Sequence, residues 1–267
     1  MKLEQIIQII IFLLLLHGLY KLCNMNNIDL FSNTKVKILN LVLYSHNKEY
    51  DMMYSITREF YKKYSNVTTI YYLFSPTITD DYMLVGDILY IKGNESYVPG
   101  ILDKTVKAFK YASLYYSDYD FIIRTNISTI VNFDILSNKL NNTITYGASN
   151  ILHINKGYRD PAGGIVNDKY AGTSYASGTG IIFSKDFFND FMKVIDNIDY
   201  GVIDDVAIGF LIHTYFPNIK ITNFQDYITY VEEVTNLDYD KIIFYRNRSS
   251  TDRSKDVINM KKIVTNL

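Results

Sequence analysis

One cysteine, Cys23, is all that the 267 residues contain. A lone thiol excludes an intrachain disulfide and any zinc site built on cysteines. Tryptophan is absent and proline is held to 4 residues, whereas tyrosine reaches 25. The tyrosine excess runs along the whole chain together with many Asn, Ile and Lys, and reads as drift in an AT-rich genome. A surplus of positive charge is also missing. The formal net charge is -1, which argues against a general nucleic-acid binder, whose domain should be basic. No Walker phosphate loop and no serine-bearing nucleophile elbow occurs. His17, His46, His153 and His213 are scattered without metal-ligand spacing, so histidine-based hydrolysis is disfavoured. What is present is enough to fold: 48% hydrophobic and 15% aromatic residues support a sizeable core and are far from a disordered composition. Asn66-Val67-Thr68, Asn94-Glu95-Ser96, Asn141-Asn142-Thr143 and Asn247-Arg248-Ser249 match the glycosylation sequon. In an Asn-rich chain such matches arise by chance and say little about compartment.

Long apolar runs are confined to one place. Ile6 to Leu16 is interrupted only by Gln8 and preceded by Lys2. The run is short of the roughly 20 residues that span a bilayer unless Gly18, Leu19 and Tyr20 extend it. A signal anchor and a cleaved signal peptide both fit residues 1–23. The lack of a small-x-small cleavage site favours the anchor, and a buried N-terminal helix is the alternative. The polar residues 24–35 read as a short stem, leaving 36–267 as a single domain.

Within that domain strands and helices alternate. Val36 to Tyr44 is a β-branched, mostly apolar run suited to a central strand, ending at the turn-like Ser45-His46-Asn47. Tyr50 to Tyr64 has helical spacing. Thr68 to Phe74 and Asp87 to Ile91 read as strands, Ile101 to Tyr115 as an amphipathic helix, and Asp120 to Arg124 as another strand. The pattern predicts an α/β fold, a mostly parallel central sheet flanked by helices. Ligands of such sheets bind beyond the carboxyl ends of the strands, which places Tyr44-Ser45 and Arg124 to Ser128 together at the mouth. Further on, Thr143 to Gly147 reads as a strand and His153 to Thr173 as a long loop, of the kind that is commonly functional or mobile. Gly178 to Phe183 reads as a strand, and Ser184 as the cap of a helix through Ile195. Asp204-Asp205 opens a helix through Tyr215. Lys241 to Tyr245 is a strand, followed by a polar tail carrying Arg246, Arg248, Arg253 and Lys255.

Three clusters could carry chemistry. They are the strand end Asp120 to Asn132, the segment Tyr175-Ala176-Ser177-Gly178-Thr179-Gly180, whose glycines allow close backbone approach to a ligand, and Ile203-Asp204-Asp205-Val206. Each has an ordinary structural explanation, since Asp at a helix start is usually a cap and Gly-x-Gly before a strand is usually a turn.

Taken in order, they resemble a family. Glu95-Ser96-Tyr97-Val98-Pro99-Gly100-Ile101-Leu102-Asp103-Lys104-Thr105 resembles the D-S-Y-x-N-L-T-x-K-T segment of the beta-1,3-galactosyltransferase and fringe-like glycosyltransferases. Arg124-Thr125-Asn126-Ile127-Ser128-Thr129-Ile130-Val131-Asn132 lies where that family has K-x-D-D-D-x-F-V-N. Tyr175 to Ser184 is similar to its Y-P-x-Y-x-x-G-x-G-Y-x-x-S segment, and Asp204-Asp205-Val206-Ala207-Ile208-Gly209 to its E-D-V-x-x-G. The resemblance covers residues 36 to 215.

It implies the GT-A (nucleotide-diphosphosugar transferase) fold and transfer of a sugar from a UDP-sugar-like donor to an acceptor hydroxyl with inversion. The acceptor would be a glycan or glycoprotein, and the enzyme single-pass with its catalytic domain in the secretory lumen. Asp205 stands at the position of the catalytic base, kept ionised at neutral pH by a helix N-terminus, with Asp204 as a cap or acceptor-positioning residue. Tyr44 and Ser45 would lie near the nucleoside, and Gly178 and Gly180 would line the donor or acceptor cleft. The sequence departs from the family at the acidic triplet that holds a divalent cation. Asn126, Ile127 and Ser128 carry no carboxylate, and two neutral ligands make a weak site for manganese or magnesium. The diphosphate charge would then face Arg124, Asn126 and Ser128, with Arg246 and Arg253 folding over it, since arginine makes bidentate phosphate contacts. The alternatives are a catalytically inactive nucleotide-sugar or glycan binder at the membrane, and a nucleotidyltransferase. The absence of a Gly-rich basic loop after the first strand weighs against the last.

Overall fold

The computed structural model describes residues 35–159, 167–249 and 251–267. The expected anchor, nearly all of the expected stem and the centre of the expected loop lie outside the described residues. Among the described residues no helix is long and apolar enough to cross a membrane; Ile6 to Leu16 is not among them.

The unit Val36–Leu267 is built on a sheet that begins with β1 (Ile38–Leu43), buried along nearly its whole length. A strand covered on both faces needs apolar side chains in both directions, which is why β1 reads as a continuous run and not an alternation. Helix α1 (Lys48–Tyr61) follows. Its N-cap Asn47 accepts a hydrogen bond from the Tyr50 N–H, and Glu49 and Asp51 complement the dipole in its first turn. It leads to β2 (Val67–Ser75), parallel to β1. β3 (Tyr82–Val85) and β4 (Ile88–Lys92) form a hairpin turned at Gly86, where φ is +63°. Helix α2 (Gly100–Tyr115) crosses back to β5 (Phe121–Asn126), which lies parallel to β1 on its other side.

The chain then leaves this sheet. β6 (Thr129–Val131), α3 (Phe133–Lys139), β7 (Tyr146–Ala148), β8 (Ile151–His153), β9 (Ser174–Ala176) and β10 (Gly180–Ser184) follow in turn. After β10 come α4 (Lys185–Met192), α5 (Asp204–Tyr215), β11 (Ile221–Asn223), β12 (Ile228–Val231), β13 (Phe244–Asn247) and α6 (Arg253–Asn266). The eight-stranded sheet has the order β11-β7-β10-β5-β1-β2-β4-β3, and a second sheet has the order β12-β13-β6.

Two expectations need correction. The large sheet is mixed instead of mostly parallel: β10 runs antiparallel to both β5 and β7, and β3 antiparallel to β4. Among the described residues between β7 and β10 stand the antiparallel pair β8–β9 and no crossover α-helix of the kind that joins parallel neighbours. The polar tail is built into regular structure: Arg246 belongs to β13, and Arg253 opens the helix α6. In α6, Asp252 caps the N-terminus by accepting from the Ser254 N–H, and Val257, Met260 and Ile263 are buried. These three recur every third residue, and the helix lies against α1.

Two hydrophobic clusters cover the faces of the large sheet. One gathers around Phe109, Phe183, Phe188 and Phe191, the other around Phe133, Phe244, Tyr245 and Met260. The expected cap at Ser184 is present, accepting from the Phe187 N–H, although α4 ends at Met192, short of Ile195.

Candidate active site

β1 and β5 end side by side, and the ladder continues one step beyond them, with Ile127 N–H donating to the Leu43 carbonyl at 3.0 Å. The chain turns there from the large sheet into β6. A cavity of about 620 Å³ opens at this edge, and its wall brings together Tyr44, Ser45, Arg124, Asn126, Ser128, Gly178, Asp204, Asp205 and Arg246. Segments spread over most of the domain thus meet at one place.

Gly180 and Arg253 are not on that wall. Gly180 is packed inside: a Cβ there would stand 2.7 Å from Phe244 Cε1. Its lack of a side chain serves the contact between sheets, not a ligand. Arg253 is paired with Asp256, and its guanidinium lies 5.4 Å from the ring centre of Tyr50, a cavity-wall residue. Tyr44 is turned beneath α1. It is 2% exposed, its hydroxyl donates to Asp51 Oδ1 at 2.5 Å, and its ring stacks on Tyr54 at 5.5 Å.

Arg124 is 1% exposed. Its Nη1 donates to the Gly178 carbonyl at 2.6 Å, and its Nη2 donates to Asp204 Oδ2. The charge of Arg124 is therefore met within the protein. Asp204 is its counter-ion and not a helix cap: the N-cap of α5 is Ile203, which makes no side-chain capping bond.

Asp205 Oδ2 accepts from the Gly178 N–H at 3.0 Å and its Oδ1 from the Val206 N–H at 2.9 Å. Burial first, and then the neighbouring Asp204 charge, push its carboxyl up to about 7. The expectation that a helix N-terminus keeps it ionised is thereby corrected. A helix dipole contributes about 0.3–1 kcal/mol, less than the desolvation of a carboxylate beside a second one. Close packing of α5 on β9 brings Asp205 to Gly178. A Cβ on Gly209 would lie 2.2 Å from Tyr175 Cβ, so only hydrogen fits there.

Gly178 sits between the two networks. A Cβ on it would stand 2.7 Å from Arg124 Nη1 and 3.5 Å from Asp205 Oδ2. Gly178→Ala should displace the guanidinium and destabilise the domain by about 1–3 kcal/mol, read as a lower urea midpoint. An unchanged midpoint would show that the strand shifts without loss.

Lys104 went unassigned in the sequence, although it stands inside the Glu95–Thr105 segment. It is fully buried and donates to the Tyr44 carbonyl at 2.8 Å, to Ser45 Oγ at 2.9 Å and to both Glu95 oxygens at 2.8 Å. Burial pulls its pKa down, opposed by Glu95. Lys104 thus fixes Ser45 on the cavity wall. The signal for it was a lysine four residues from each of Gly100 and Ala108, both buried on the same face of α2. The cavity also collects Tyr50, Tyr97, Tyr158, Tyr175 and Tyr230. A chain-wide tyrosine bias hid these, because composition carries no position.

Arg246 comes from β13, whose antiparallel pairing with β6 sets Arg246 opposite Thr129. The Asn247 N–H donates to the Ser128 carbonyl at 2.9 Å, and Arg246 Nη1 donates to Ser128 Oγ. Burial, followed by the charges of Arg253, Arg248 and Arg124, pushes Arg246 down to about 10; it stays cationic at neutral pH.

The residues at the triplet do not fit a divalent cation. Ile127 is buried in the core beneath the turn, and the Ser128 hydroxyl is engaged by a guanidinium. Among the described residues no three His, Cys, Asp or Glu side chains gather as metal ligands.

No family model and no curated protein matches the chain. Among solved structures it is similar to a glycosyltransferase involved in the glycosylation of the major capsid of PBCV-1. Identity is 12% and the TM-score 0.47, with 85% of this chain and 99% of that one covered. It is also similar to a mutant of the Drosophila beta-1,4-galactosyltransferase 7 in complex with manganese, UDP-Gal and xylobiose. Here identity is 12% and the TM-score 0.41, with 86% of this chain and 79% of that one covered.

Proposed function

We propose that this protein is an inverting glycosyltransferase that moves a sugar from a nucleotide-diphosphate donor, UDP-linked, to a hydroxyl of a glycan or protein-linked acceptor. The observation that carries this reading is a carboxylate held by two backbone N–H groups and a cation without an acidic partner among the described residues, Asp205 and Arg246, on one cavity wall. Inversion in one displacement needs one base and a stabilised leaving group. The acceptor oxygen forms the bond to the anomeric carbon while its proton passes to Asp205. The bond from that carbon to the diphosphate oxygen breaks, and its electron pair leaves with the diphosphate. Two backbone N–H groups hold the Asp205 carboxylate in place. In the same reading residues 1–23 anchor the chain in a membrane and the domain works in the secretory lumen.

The test is incubation with UDP-sugars and a panel of glycan acceptors, with the anomeric configuration of the product read by NMR. Transfer with inversion is the expected result. Retention of configuration would overturn the single displacement, and tight UDP-sugar binding with neither transfer nor hydrolysis would make the protein a binder.

A further inference from the structure

We infer that Arg246, with Arg248 beside it, takes the place of a divalent cation in holding the donor diphosphate. The inference rests on the proposed function in one respect, that the cavity takes a nucleotide diphosphate; the anion site itself follows from the charges around it.

Three other arginines lie close enough to influence Arg246, and the four are not equivalent. Arg124 is neutralised by Asp204 and Arg253 by Asp256. Arg248 is exposed and lines the cavity. Among the described residues Arg246 makes no ion pair, and its side-chain hydrogen bond goes to a neutral hydroxyl, Ser128 Oγ. A mostly buried cation without a counter-charge is unfavourable, and three neighbouring arginines make it more so. Such an arrangement is relieved by an anion that enters the cavity. A diphosphate suits it, because guanidinium groups bind phosphate oxygens through paired N–H donors.

The position matters as much as the charge. Ser128 occupies the end of the turn where β5 leaves the large sheet, and its hydroxyl holds the Arg246 side chain, which lines the same cavity as Asn126. Strand pairing between β6 and β13 fixes the backbone on both sides of this contact. The cation is therefore set in place before the ligand arrives, which is what stabilising a departing charge requires. A neutral Asn-Ile-Ser turn next to an unpaired arginine is a consistent pair. Carboxylates at the turn would instead have paired with Arg246 and cancelled it.

The experiment is calorimetric titration of the protein with inorganic pyrophosphate and, separately, with UDP, each in EDTA and in manganese. Both ligands should bind in EDTA, with manganese changing the affinity by less than about threefold. Arg246→Gln should weaken both about 10- to 100-fold, and Arg246→Lys should restore part of the loss, since lysine keeps the charge without the paired donors. Circular-dichroism melting checks that the variants fold; if Arg246→Gln does not, Arg246→Lys and Arg248→Gln carry the comparison. Binding that appears only with manganese, or pyrophosphate affinity unchanged in the Arg246 variants, would overturn the inference. Pyrophosphate binding in EDTA without any UDP binding would leave the arginine site standing and overturn the nucleotide reading.

Discussion

Asp205→Asn is expected to lower kcat by about 10²- to 10⁴-fold, the contribution of a positioned general base, while leaving donor affinity nearly unchanged. The amide keeps the size of the carboxylate and its one oxygen can still accept from the Gly178 N–H while giving up the Val206 N–H, so a loss of rate far beyond one hydrogen bond would report lost proton transfer. The pH profile gives a second readout. A base works ionised, and the Asp205 carboxyl lies near 7, so kcat/KM should rise with pH through about 7 and level off above it. The variant should lose that limb. Stability moves the opposite way. The folded protein holds this proton more tightly than the unfolded chain, where a free Asp titrates at roughly 3.9. The stability contributed by the group is fully present below about 4 and is lost as pH rises through about 7. Asp205→Asn should therefore melt at a higher temperature than the parent at pH 8. A variant that keeps its rate would remove Asp205 from the mechanism, and one that melts lower at pH 8 would refute the account of its burial.

Arg124→Met should be the most destabilising of the changes considered, at about 3–5 kcal/mol, because it leaves Asp204 buried without its counter-ion. The loss of the Gly178 carbonyl contact adds to it. Removing both members, as in Arg124→Met with Asp204→Leu, should recover most of the loss, since an apolar pair of similar volume has no uncompensated charge. Urea denaturation of the two single variants and the double variant gives the coupling directly. Equal destabilisation in the double and single variants would show that the pair itself is not the source. Arg124 also draws the Asp205 pKa down while Asp204 raises it. Arg124→Met should move the alkaline-rising limb of the rate profile to higher pH, an effect that loss of packing alone would not give.

Features written in neighbouring residues were legible. The apolar run at Val36 to Tyr44 marked β1, helical spacing marked α1 and α2, and Ser184 marked the start of α4. The order of the motifs pointed to one cavity edge, and nine expected residues stand on its wall. Each of these depends on patterns repeated within a few residues, where propensity and periodicity act.

What could not be read was which groups would neutralise one another. Arg124 looked free to meet a phosphate until Asp204, 80 residues away, was seen to claim it. Arg246 was expected over the diphosphate as part of a polar tail, but its seat against Ser128, 118 residues earlier, comes from the pairing of β13 with β6. Asp204 and Asp205 are adjacent in the chain, share a helix start and both line the cavity, yet one is paired with a guanidinium and the other accepts from two backbone N–H groups. Local pattern told where Arg124 to Ser128 would lie, because a strand end is a local feature. The balance of charge at that place belongs to contacts between distant strands, because electrostatic energy depends on distance and burial in space and not on separation along the chain.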